Sequence, residues 1–73
     1  MERTGIARAR IALALVLEDV NRMWHDFARA TGERRRWILA EIRIHLGRLN
    51  AADPRVQAHL AEVERIEIAE VQP

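Results

Sequence analysis

IALALVLEDVNRMWHDF, residues 11–27, opens with seven consecutive side chains that carry no polar group, Ile11 to Leu17. It continues with Val20, Met23, Trp24 and Phe27 at helical spacing. At about 100° per residue, Leu13, Val16, Leu17, Val20, Met23, Trp24 and Phe27 share one broad face, joined upstream by Ile6 and Ala9. That period predicts an amphipathic helix. Five of these residues, Leu13, Leu17, Val20, Trp24 and Phe27, come close to a heptad seam, which Arg10 interrupts near its start. Ile11 and Leu15 fall on the opposite face among Arg8, Glu18 and Arg22, and on a monomer they would be exposed. The expected helix covers about residues 5–30. Thr4 is available as its N-cap, although the first turn lacks the acidic partner of a capping box.

Downstream, Thr31-Gly32 is the first interruption. Glycine just past a helix end takes the left-handed conformation that closes the last turn. The apolar period restarts at Trp37, so a second helix is expected at about 33–49, antiparallel to the first across a short turn. Its main stripe is Ile38, Leu39, Ile42, Leu46 and Leu49, with His45 at the edge. Trp37 and Ile44, seven apart, make a second stripe on the far side. Asp53-Pro54 is the strongest local signal, because aspartate caps a helix well and proline at the first helical position has no N–H to leave unsatisfied. A third helix is expected at 54–71, with Val56, Leu60, Val63 and Ile66 inward. Its end, RIEIAEV, alternates like a strand, but a lone strand without a partner is unstable, so helix is the expected state.

The fold class is therefore all-α: a helical hairpin plus a third helix, a three-helix bundle forming one small domain over residues 1–73. A chain of this length buries only about 60% of the surface that its unfolded form exposes. With no cysteine, neither a disulfide framework nor a thiolate metal site can reinforce it. Dimerisation or a partner protein is the expected reinforcement, and the first helix, longer than its neighbours, leaves one end for that partner to cover.

Composition narrows the function classes. The chain is 49% hydrophobic and 32% charged, which is globular, not disordered, composition. Ala, Leu, Arg and Glu dominate, which favours helix. All twelve basic residues are arginine, read here as the codon style of a GC-rich bacterial or phage genome. The net charge of +1 gives nucleic-acid binding little support. Glu18-Asp19 follow the apolar run directly, where a secretory signal would show a cleavage site. Seven apolar residues are also too few to span a bilayer. A cytoplasmic chain with no membrane segment is expected.

Candidate sites follow from the same pattern. His25, His45 and His59 fall one on each helix and by phase do not converge, so no metal site is expected. Glu18, Asp19 and Asp26 interleave with Arg22 and Arg29 as a salt-bridged solvated face. There is no serine, no phosphate loop and no nucleophile elbow, so neither an enzyme nor a cofactor or small-molecule site is expected. The Arg34-Arg35-Arg36 run opposes the dipole of the helix that it begins. One reading makes it an anion or nucleic-acid contact. The other has the arginines neutralise the carbonyls that end the first helix.

Ile11, Leu15, Arg22, Trp37 and Ile44 form the candidate partner-binding surface, with Ala61 and Ile68 a weaker pair. The expected function is a non-enzymatic protein–protein interaction module: a small regulator, inhibitor or adaptor that binds a protein partner, a second copy or both through an apolar, Arg-rimmed helix surface. Two alternatives are a small dimeric nucleic-acid-binding bundle using Arg34, Arg35 and Arg36, and a structural subunit of a helical assembly.

Overall fold

The computed structural model describes residues 2–71, with side chains at Arg8 and from Arg10 onward. The described residues form three helices: α1 (Glu2–Arg29), α2 (Gly32–Gly47) and α3 (Pro54–Val71). The fold is all-α, as the periodicity predicts. Thr4, expected to cap α1, lies inside it, because nothing between Glu2 and Gly5 breaks the helix. Ile6 and Ala9, expected to point inward, lie outside the described side chains.

Local chemistry explains each boundary. The Ala30 N–H still donates to the Asp26 and Phe27 carbonyls, then Thr31 is extended and Gly32 takes φ +59°. That positive φ is costly for any residue with a Cβ, and it lets the chain reverse in three residues. The other end of α2 stops at Gly47, two residues short of the expected Leu49. There the helix tightens, with the Leu49 N–H donating to the Leu46 carbonyl three residues back. Asn50 Oδ1 then accepts from the Ala52 N–H at 3.0 Å. Asp53 Oδ1 accepts from the Arg55 N–H at 2.8 Å, and the Gln57 N–H closes the first turn on the Asp53 carbonyl at 2.9 Å. Asp53 is the N-cap of α3 and Pro54 its first residue, as expected.

One core joins the three helices: Val20 and Phe27 from α1, Ile38, Leu39, Ile42 and Leu46 from α2, and Val56, Val63 and Ile66 from α3. The expected inward residues Leu13, Val16, Met23, Trp24, Leu49 and Leu60 border it, half-buried. RIEIAEV is helical, as expected. Its alternation arises because Ile66 enters the core, Glu67 and Glu70 reach the arginines of α2, and Ile68 faces outward.

Register follows from the cross-helix contacts. Arg35 meets Phe27 at one end of the hairpin, while Leu49 shares a cleft with Leu13 and Val16 at the other. Arg35 and Arg43 pair with Glu70 and Glu67, so α3 runs antiparallel to α2. Among the described residues, no Cα of α1 comes within 8 Å of α3. The Trp24 indole N–H bridges that separation, donating to His59 Nδ1 at 3.0 Å. At about 42 Å, α1 outreaches both neighbours, and the molecule is 53 Å long but 20 × 14 Å across.

Candidate interaction surfaces

Each expected partner-binding residue stands away from the core of its own helix. Ile11 precedes the buried Val20 by nine residues and Trp37 precedes the buried Leu46 by nine. At about 100° per residue each pair lies half a turn apart. Trp37 is 62% exposed, Ile11 61%, Leu15 57% and Ile44 49%. The α1 pair and the α2 pair do not merge. Their outward faces diverge, and the antiparallel register puts Ile11 and Leu15 at the end of the hairpin remote from Trp37. The chain therefore presents two separate apolar faces.

The surroundings of the two faces differ. On α1, the Arg22 guanidinium approaches Asp19 at 3.5 Å one turn back, with both side chains mostly exposed. On α2, Ile44 borders a shallow cleft with Leu39 and Ala40, rimmed by Arg36 and Arg43. Arg43 is fixed there by a two-pronged grip on Glu67, which raises the guanidinium pKa above its ordinary value. On α3, Ile68 is exposed, as its phase predicts, and Val71 is more exposed still. Val71 closes α3 just past the last core residue on its helix, a position that the periodicity reading did not single out.

The arginine run is split by helix geometry. Consecutive residues on a helix diverge by about 100°, so three in a row cannot share a face. Arg34 borders Asp26 and Arg29 on the α1 side. Arg36 faces Glu67 and Glu70 on the α3 side. Arg35 folds back between them: its guanidinium stacks on the Phe27 ring, Nη1 donates to the Phe27 carbonyl at 3.3 Å, and Nε donates to Glu70 at 3.2 Å. The cation at the start of α2 thus sits at the carbonyl end of α1, where the dipole favours it. Arg35 carries out the neutralising role, while Arg34 and Arg36 stay exposed.

The histidines occupy three unrelated environments. His25 is exposed on α1. His45 Nδ1 lies 2.8 Å from the Glu41 carbonyl one turn back. His59 accepts from Trp24 through Nδ1, which assigns its ring proton to Nε2. Among the described residues, no three His, Asp or Glu side chains gather where they could hold a metal ion, and no helix is long and apolar enough to cross a membrane. The Arg55 guanidinium and the Arg55 backbone N–H hold the Asp53 carboxyl below its usual range. Arg65 does the same for Glu62 through a side-chain hydrogen bond. Both are structural contacts within α3 and its cap.

The end of α1 that outreaches its neighbours, expected from the helix lengths, carries a surface whose lining the periodicity does not single out. Where α1 runs past the end of α2, Leu13, Val16 and Leu49 form an apolar shelf edged by Arg10 and Arg48, about 500 Å³ in volume. Leu13 and Val16 were expected in the core. They remain half-buried because α2 ends at Gly47 and supplies too little chain to cover them.

Comparison with family models, with curated proteins and with solved structures finds no match.

Proposed function

We propose that this chain is a non-enzymatic protein–protein interaction module, a small regulator, inhibitor or adaptor that works through two outward apolar faces. Ile11 and Leu15 with Arg22 make one, and Trp37 and Ile44 make the other. The observation that carries this reading is Trp37, 62% exposed on the same side of α2 as Ile44. A scattered apolar residue on a surface is ordinary. Tryptophan and arginine are the residue types that anchor protein interfaces. Arg36 and Arg43 rim the cleft that Ile44 borders on this helix. The all-arginine basic set fits the codon style of a GC-rich bacterial or phage genome.

The test is photo-crosslinking in producing cells from position 37, with exposed Glu64 as the control position. A defined protein adduct at 37 that disappears with Ile44→Glu supports the module. The absence of any such adduct overturns it. An adduct with nucleic acid, together with salt-dependent DNA or RNA binding that Arg34→Ala and Arg36→Ala weaken, replaces it with the nucleic-acid reading. Assembly into particles much larger than a dimer replaces it with the structural-subunit reading.

A further inference from the structure

The outer face of α1 carries a pattern that complements itself, and we propose that a second copy of this chain docks there in antiparallel orientation. The inference rests on the interaction-module reading and names the occupant of one of its two faces. Ile11 and Leu15, both exposed, lie four residues apart. Arg8 stands three residues before Ile11 and Glu18 three after Leu15, and both are exposed. Spacing of three, four and three is that of a heptad seam, and it is symmetric about position 13.

Two α1 helices antiparallel about that point bring Ile11 of each copy onto Leu15 of the other, and Arg8 onto Glu18. Every contact occurs twice, as a two-fold interface requires. Sliding the copies by one heptad sets Ile11 and Leu15 against Arg22 and Glu18, or against Arg8 and Thr4. A parallel pair stacks Arg8 on Arg8 and Glu18 on Glu18, and like charges in register select against that arrangement. Only the antiparallel register about position 13 matches apolar with apolar and charge with opposite charge.

Three further observations agree. Arg8 and Glu18 have no ion-pair partner among the described residues, whereas Arg22, the next position along the seam, is drawn to Asp19 of its own helix. Ala12 and Ala14, both exposed, flank the seam, and short flanking side chains allow two helix axes to approach closely. α2 and α3 pack on the opposite side of α1, so they leave the seam unobstructed.

Light scattering across a concentration series tests the proposal. The native chain should rise to twice its monomer mass of 8.4 kDa. Arg8→Glu or Glu18→Arg alone sets like charges across both ends of the seam, and each variant should stay at the monomer mass with native helical circular dichroism. An equimolar mixture of these two variants sets opposite charges together again and should recover the dimer mass.

A native chain that is monomeric at every concentration overturns the proposal. So does a dimer indifferent to the single reversals, or a mixture that stays monomeric. These failures are separable from failure of the broader reading. A monomer that still crosslinks to a protein through position 37 removes the dimer and keeps the module. A charge-dependent dimer with nothing bound at position 37 does the reverse.

Discussion

The Arg35 guanidinium lies 3.8 Å from the centre of the Phe27 ring while its Nε donates to Glu70 at 3.2 Å. A single side chain on α2 thereby ties the end of α1 to the end of α3, two helices whose backbones do not meet. Arg35→Ala removes the stacking and both hydrogen bonds, and should lower stability by about 1–2 kcal/mol. Arg34→Ala and Arg36→Ala should stay within about 0.5 kcal/mol of the native chain. Urea denaturation of the three variants checks this, and equal losses across the three would contradict the assignment.

One turn back along α1 from Phe27, Trp24 forms a hydrogen-bonded pair with His59 whose strength is measurable by a double-mutant cycle. Trp24→Phe and His59→Ala each break the same bond. The double variant should therefore lose less than the sum of the two, with a coupling of about 0.5–1.5 kcal/mol. Strict additivity would mean that the bond contributes nothing in solution.

Gly32 and Gly47 bracket α2 and should respond oppositely to alanine. Neither position has an atom within 4 Å of an added Cβ, so crowding plays no part. Gly32 holds φ +59°, and alanine there should cost about 1–2 kcal/mol. Gly47 has no such constraint, and alanine should stabilise by about 0.4–1 kcal/mol by restricting the unfolded chain. Thermal melts that shift in opposite directions would verify both.

Acid should weaken the fold partly through the start of α3. The Asp53 carboxyl is held below its usual range by the Arg55 guanidinium and then by the Arg55 backbone N–H. A carboxyl depressed in the folded state contributes stability above its unfolded pKa of about 3.9 and loses it as pH falls through the lower folded value. Asp53→Asn keeps a capping oxygen but cannot titrate. Its stability should fall less steeply than that of the native chain below pH about 4. Denaturation midpoints across an acid series would decide, and parallel curves would remove Asp53 from the account.

Much of this fold was legible in single residues. Gly32 and Asp53-Pro54 marked the two chain reversals because their backbone preferences are local. The inward faces of α2 and α3 followed from periodicity alone. The N-terminal boundary of α1 did not, since Thr4 is a capping residue that the helix passes through when no breaker stands before it. The exposed state of Ile11, Leu15, Trp37 and Ile44 could be read from phase, because a residue half a turn from the core has only one direction to face. Their separation into two faces could not, because it depends on which end of one helix lies beside which end of the next.

By itself, the sequence determined the three helices, their turns and the face that each helix turns inward, since capping, φ preference and the 3.6-residue period act within a few positions of the chain. Tertiary structure alone decided which arginine of 34–36 works inside the fold, that Trp24 meets His59 thirty-five residues away, and that Leu13 and Val16 stay half-covered. Those outcomes depend on the register and relative lengths of packed helices, which are set by how the whole core fits together and not by any one segment.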